Sequence, residues 1–339
     1  MTEPNSRPLV LTMGEPAGVG PELALKAWAA RDRIPPFIYV GDADHLAGLA
    51  AAISPALPTA RVTSAAEGRE RFPEALPVLH EPLKARPQPG RPTTQTAAAV
   101  IAAVDRAVEL VRNGDAAAVV TNPVHKKTLW AAGVRFPGHT EYLAEIAARM
   151  SGSPANAAMM LVVPGLRVVP VTVHIPLCDV ARTLRRKLIV DKAVIAAEAL
   201  RHDFGIARPR LAVAALNPHA GEDGALGREE IDIIAPAVAD LETRGLSVDG
   251  PRPADTLFHE AARSRYDAVI CMYHDQALIP LKTIDFYAGV NVTLGLPFVR
   301  TSPDHGTAFD VAGKGTADPT SLLAALKLAG ELGRRRGLT

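Results

Sequence analysis

Three histidines carry the first chemical signal in the chain. His174, His219 and His274 each follow a short apolar run, at 168–173, 211–216 and 268–272, where that run gives way to polar residues. Neutral imidazole is the commonest transition-metal ligand, and three imidazoles leave coordination positions open for substrate or water. Pro176 lies just after His174, Pro218 precedes His219 and Asp275 follows His274, so each ring sits where a strand stops. Spacing alone leaves two readings open. Either the three converge on one divalent cation, or each caps its own strand end. No compact HxxxH or HxH motif ties them together, and the spacing does not say whether one chain supplies all three.

Other residues have the character of anion contacts. His139 opens a helix, where free backbone N–H groups and the macrodipole favour negative charge, although Thr140 serves equally well as an N-cap there. Lys282, Asn291 and Arg300 surround an apolar run at 290–294, and Asn291 and Arg300 read as fixed donors to a carboxylate or phosphate. The turn 14–21, GEPAGVGP, lacks the Gly-Lys-Ser/Thr ending of a P-loop and the third glycine of a dinucleotide fingerprint. It reads as a tight strand-to-helix turn, either a simple turn or a ligand contact. His45, His80, His125, His202 and His259 have no convergent partners in the pattern and read as surface residues.

The elements that must position these groups alternate in a βα rhythm. Short runs rich in Val, Ile and Leu at 9–12, 37–40, 117–121, 160–163, 168–173, 211–216, 268–272 and 290–294 predict buried strands. Longer Ala-rich stretches at 21–30, 94–112, 140–150, 191–204, 228–242 and 319–333 predict helices. This is an α/β chain with mostly parallel sheets covered on both faces. Five of the strands run into polar residues at their carboxyl ends, where ligands bind in open α/β sheets, so one shared cleft is expected. The Pro-rich segment 53–92 reads as a long surface connection with one strand inside it, or equally as a lid.

Composition excludes several function classes. With 339 residues, 48% of them apolar, the chain can build two α/β lobes and is not disordered. Lys and Arg number 37 against 36 Asp and Glu, a net charge of +1, so the broad basic surface of a nucleic-acid or anionic-membrane binder is missing. Every apolar run is broken before it could span a bilayer, and the first residues do not read as a secretory signal. Cys178 and Cys271 form no CxxC pattern, so a thiolate metal site or disulfide framework is not indicated and a reducing cytoplasm is expected.

At this point the motifs carry a resemblance. Residues 11–22 (LTMGEPAGVGPE), 136–141 (FPGHTE), 216–222 (LNPHAGE), 272–276 (MYHDQ) and 291–306 resemble the 4-hydroxythreonine-4-phosphate dehydrogenase family, with a match running from about residue 9 to 329. The resemblance implies that His174, His219 and His274 are divalent-metal ligands and that His139, Thr140, Lys282, Asn291 and Arg300 bind substrate. Met13 departs from the proline common in the family, which touches turn geometry rather than chemistry. The run 305–319 (HGTAFDVAGKGTADP) also resembles the adenosine-binding loop of isopropylmalate and isocitrate dehydrogenases. That implies nucleotide contacts at His305, Gly306, Ala308, Asp310 and Gly313 without a dinucleotide fingerprint. A carboxylate at Asp310 favours NAD over NADP, because it would repel a 2′-phosphate.

The resemblance further implies two α/β/α lobes of the isopropylmalate-dehydrogenase kind, 1–145 with 280–339 and 146–279, an active-site cleft between them, and a homodimer with its active site at the interface. The expected activity is NAD-linked oxidation of 4-phosphooxy-L-threonine at C3, followed by decarboxylation to 3-amino-2-oxopropyl phosphate in pyridoxal phosphate (vitamin B6) biosynthesis. Zinc is the first choice of metal, with magnesium and cobalt as the others, and Lys282 is a candidate for proton transfer or a plain anion contact. A paralogous dehydrogenase of threonate or erythronate 4-phosphate is the alternative, and a metal-dependent hydrolase is the alternative from another class. The 305–319 run argues against the hydrolase, and intact ligand positions argue against a non-catalytic binding protein.

Overall fold

The computed structural model describes residues 7–54, 57–134, 139–151 and 156–338, excepting the side chains of 139–141 and 151. By its internal contacts the chain divides into two compact units, Met1–Ala155 with Leu296–Thr339, and Asn156–Gly295. The divisions at 155/156 and 295/296 lie beyond the expected 145/146 and 279/280. The helix His274–Ile284 packs on strands of the second unit and therefore stays with it.

The first unit holds β1 (Leu9–Thr12), β2 (Phe37–Gly41), β3 (Thr59–Val62), β4 (Leu76–His80), β5 (Val119–Thr121) and β12 (Arg300–Pro303). Their spatial order is β3-β4-β2-β1-β5-β12, and every neighbouring pair is parallel. β1, β2 and β5 are buried at every position, as strands covered on both faces must be. The helix Ala97–Arg112 buries Val100, Ala103, Val104, Ala107 and Val108, one stripe at the 3.6-residue period, while Thr320–Arg335 buries Leu322, Ala325, Leu326, Ala329 and Leu332 in the same way.

The second unit holds β6 (Ala158–Val163), β7 (Leu166–Pro170), β8 (Arg210–Ala214), β9 (Ser247–Arg252), β10 (Ala268–Cys271) and β11 (Val290–Leu294) in the order β11-β6-β7-β10-β8-β9. β6 runs antiparallel to both of its neighbours, and the other pairs are parallel. Leu161, Val163, Val168, Ala212, Val269, Cys271 and Leu281 share one core. Burial pushes the Cys271 thiol far above its ordinary range, so this cysteine is an inert packing residue.

The segment 53–92 is not a bare connection. It contains two strands, β3 and β4, joined by the helix Ala65–Arg71. β3 is partly exposed at an edge, and Pro77 interrupts the apolar run of β4, which is nonetheless buried from Leu76 to Leu79, so neither shows the sequence pattern of a buried strand. β9 and β12 were also hidden: SVDGPR lies at an edge, whereas RTSP is a polar strand buried at all four positions. There Thr301 donates to the Ala325 carbonyl at 2.9 Å and Arg300 to the Thr121 hydroxyl at 2.6 Å, bonds that a reading of apolar runs cannot anticipate.

Candidate functional site

In the second unit the strand ends are stitched together by hydrogen bonds that continue past the regular ladder. Val171 N–H donates to the Cys271 carbonyl at 2.7 Å, and the Met272 carbonyl accepts from both Thr172 N–H and its hydroxyl, at 3.2 and 2.8 Å. This carries His174 alongside His274, and their ring centroids lie 5.7 Å apart. The Asp275 carboxylate lies 2.7 Å from His274 Nδ1. When that contact is an Nδ1–H donation, Nε2 keeps the lone pair, the orientation in which an outer carboxylate commonly holds a ligating histidine.

Gln276 was not singled out by the sequence pattern. It is buried, its Oε1 accepts from Met272 N–H and its Nε2 donates to the Ala215 carbonyl, both at 2.7 Å. One side chain thus spaces the ends of β10 and β8. A polar residue two positions beyond a strand-end histidine is the only local signal for it.

His219 is presented differently. It begins a run of five residues, His219 to Asp223, with φ between 45° and 83°, of which only Gly221 is glycine. Left-handed backbone costs roughly 1–2 kcal/mol per non-glycine residue, so the run stores several kcal/mol that its surroundings must offset. His219 is exposed, as is His174. Among the described residues no group of three His, Cys, Asp or Glu side chains converges closely enough to hold a metal ion. The paired rings and the carboxylate behind His274 have the donor chemistry of a cation site; the third imidazole is carried on its own left-handed turn.

The expected substrate contacts fall in both units. Lys282 and Asn291 belong to the second; Arg300, His139 and Thr140 belong to the first. Lys282 is half-buried with its ammonium 5.2 Å from the Phe286 ring centroid. Asn291 Oδ1 is buried and accepts no hydrogen bond among the described residues, which leaves an acceptor for a ligand group. Arg300 is 3% exposed, deeper than a surface anion contact would be. His139 starts the helix His139–Ser151, but the side chains of His139 and Thr140 lie outside the described residues.

In the first unit the loop 304–319 is braced by the glycine-rich turn. The Thr307 carbonyl accepts from Val19 N–H at 3.0 Å, and a Cβ on Gly18 would lie 2.8 Å from that same oxygen. Farther along, the buried Glu22 carboxylate accepts from Ala317 N–H at 2.9 Å and Gly315 N–H at 3.2 Å. Lys26 pairs with Glu22 and donates to the carbonyls of Gly315 and Ala317 at 2.9 and 2.5 Å. The turn 14–21 therefore supports a loop, a role outside both readings of the sequence.

Of the expected nucleotide contacts, Ala308 and Gly313 take positive φ, Asp310 and Gly306 are exposed, and the half-buried His305 places Nδ1 2.9 Å from the Gly306 carbonyl. A cleft of about 490 Å³, lined by Asp42, His45, Arg86, Pro87 and Pro89 among others, opens beside Gly313. His45, His80 and His125 prove half-buried rather than superficial. His45 lies 3.2 Å from the Pro16 carbonyl, His80 accepts from Ala43 N–H at 3.1 Å, and His125 packs edge-on against Phe309.

Glu15, within the turn, is 2% exposed. Burial pushes its carboxyl up to about 7, against the lowering effect of the Ala17 N–H that it accepts at 3.2 Å. No helix among the described residues is long and apolar enough to cross a membrane.

Comparison with known proteins agrees with this arrangement. Residues 33–329 match the family model described as "Pyridoxal phosphate biosynthetic protein PdxA". The 4-hydroxythreonine-4-phosphate dehydrogenase of Caulobacter vibrioides is 51% identical over 335 residues, covering 98% of this chain and 99% of the relative. The enzyme of the same name from Bradyrhizobium diazoefficiens is 52% identical, covering 96% and 97%. Among solved structures, the 4-hydroxythreonine-4-phosphate dehydrogenase of Klebsiella pneumoniae superposes with a TM-score of 0.85 at 39% identity, covering 97% of this chain and 100% of that one. With its α/β units, its strand-end histidines and this match over most of its length, the chain belongs to the pyridoxal phosphate biosynthetic PdxA family.

Proposed function

We propose that this protein oxidises 4-phosphooxy-L-threonine at C3 with NAD, and that the resulting 2-amino-3-oxo-4-phosphooxybutanoate loses carbon dioxide to give 3-amino-2-oxopropyl phosphate, in the cytoplasmic synthesis of vitamin B6. The observation that carries this reading is the end-to-end identity of about one half to enzymes of that name. Neither the threonate or erythronate 4-phosphate reading nor the hydrolase is favoured by those relatives.

His174, His219 and His274 would hold a divalent cation, zinc before magnesium or cobalt. When bound, the cation supplies Lewis acidity that lowers the pKa of the substrate hydroxyl, and the nicotinamide supplies the hydride acceptor. The Asp275 carboxylate orients His274. Arg300 and Asn291 bind the substrate's acidic and polar groups together with His139 and Thr140, and Lys282 moves a proton at the substrate oxygen. His305, Gly306, Ala308, Asp310 and Gly313 form the nucleotide contacts, with Asp310 preferring a ribose hydroxyl to a phosphate.

A homodimer is part of the same proposal. Leu177, Ile279, Phe286 and Tyr287 are 71%, 65%, 65% and 61% exposed, an apolar set close in sequence to His174 and His274. Sharing of the histidines between two copies accounts for three imidazoles that do not converge within one chain.

The test is NADH formation from 4-phosphooxy-L-threonine, with and without a chelator, beside threonate and erythronate 4-phosphates. Turnover that is abolished by chelation and greatest with the amino acid phosphate is expected. Faster turnover of either sugar-acid phosphate, or NADH formation indifferent to chelation, overturns the substrate or the metal assignment respectively.

A further inference from the structure

We propose that Glu230 is a positioning residue for His219, holding the left-handed turn that presents this imidazole and thereby setting the divalent-cation affinity of the three-histidine site. The inference rests on the metal reading above, and it names a residue that neither the motifs nor the chemistry of the ligands assigns.

Glu230 is 3% exposed, an unusual place for a carboxylate. Its oxygens are spent on the residues immediately before the turn. Oε1 accepts from the backbone N–H groups of Leu216 and Asn217, both at 2.8 Å, and Oε2 accepts from Asn217 Nδ2 at 2.9 Å. The neighbouring Glu229 accepts from the same Asn217 amide at 2.7 Å. Glu230 also opens a π-helical turn, Glu230–Ile234, an irregularity that recurs at functional sites.

The packing is as specific as the bonding. A Cβ on Gly221, at the centre of the left-handed run, would lie 2.7 Å from Glu230 Oε2, and one on Gly227 would clash with Asn217 Nδ2. The carboxylate therefore sits against the turn itself. Backbone bonds close the far side, from Leu226 N–H to the Gly221 carbonyl at 3.0 Å and from Ala225 N–H to the Glu222 carbonyl at 3.0 Å. Strained left-handed residues persist only where neighbouring structure over-determines them, and Glu230 supplies that constraint on the side leading to His219.

The experiment is a titration of the full-length protein with Co²⁺ alone, read by its visible d–d absorption, for wild type, His219→Ala, Glu230→Ala, Glu230→Gln and Gly221→Ala, with far-UV circular dichroism on each. Outer-shell partners of metal ligands commonly alter affinity by about 10- to 100-fold. Glu230→Ala is expected to weaken Co²⁺ binding within that range and to alter the absorption spectrum. Glu230→Gln, which keeps a carbonyl oxygen for the two backbone N–H groups, is expected to recover part of the affinity. Gly221→Ala keeps the Glu230 carboxylate but drives a Cβ against its Oε2 and against the Gly227 carbonyl, and it should weaken binding as well; it and Glu230→Gln carry the test should Glu230→Ala fail to fold. Wild-type Co²⁺ affinity and spectrum in folded Glu230 variants and in Gly221→Ala, with loss in His219→Ala, overturns the positioning role. Absence of Co²⁺ binding by the wild type overturns the metal reading instead.

Discussion

Glu15→Gln isolates the energetic consequence of burying a carboxyl group in the turn after β1. Burial moves Glu15 from 4.5 to about 7. A raised folded-state pKa means that the folded protein keeps a proton which the unfolded chain has already released, so stability falls as pH rises through the window from 4.5 to 7. Below that window both states are protonated and the cost vanishes. Above it the cost is complete, about 3 kcal/mol at 1.36 kcal/mol per pH unit.

Glutamine keeps the oxygen that accepts Ala17 N–H and has no proton to lose. The variant is therefore expected to exceed wild type in stability by about 1 kcal/mol at pH 5 and about 3 kcal/mol at pH 8. Urea unfolding followed by tryptophan fluorescence reads this directly, because Trp28 is buried in the helix that follows the turn and both tryptophans belong to the first unit. A stability difference between variant and wild type that does not change between pH 5 and pH 8 would refute the reasoning.

Three further outcomes concern the site. Glu22→Ala leaves Gly315 N–H, Ala317 N–H and Lys26 without their shared acceptor; it should cost about 3 kcal/mol in urea unfolding and raise the KM for NAD more than it lowers kcat. Gly18→Ala places a Cβ against the Thr307 carbonyl and should weaken NAD in an equilibrium titration, while unchanged affinity would count against nucleotide binding by the loop 304–319 that this turn braces. Lys282→Met should depress kcat; full turnover would exclude proton transfer by this residue.

How much of the site was legible depended on whether a residue announces itself locally. The strands β1, β2 and β10 are continuous apolar runs, and the histidines at 174, 219 and 274 stand out because each ends such a run. β9, β12 and β4 do not, since an edge position, buried polar side chains and Pro77 each erase the apolar pattern. Glu22 and Glu230 look like ordinary surface acids in helical sequence. Their importance lies in backbone N–H groups 293, 295, 13 and 14 residues away.

The amino-acid sequence by itself determined the α/β class and the family and singled out candidate residues for the chemistry, because periodicity and residue type are local properties of a chain. Only the tertiary structure decided that His174 and His274 lie side by side while His219 stands on a strained left-handed turn. It alone turned the glycine-rich segment into a brace and gave a turn glutamate a carboxyl near neutrality. Burial, backbone strain and hydrogen-bond partners are set by what the folded chain brings against each residue, and no spacing along the chain contains them.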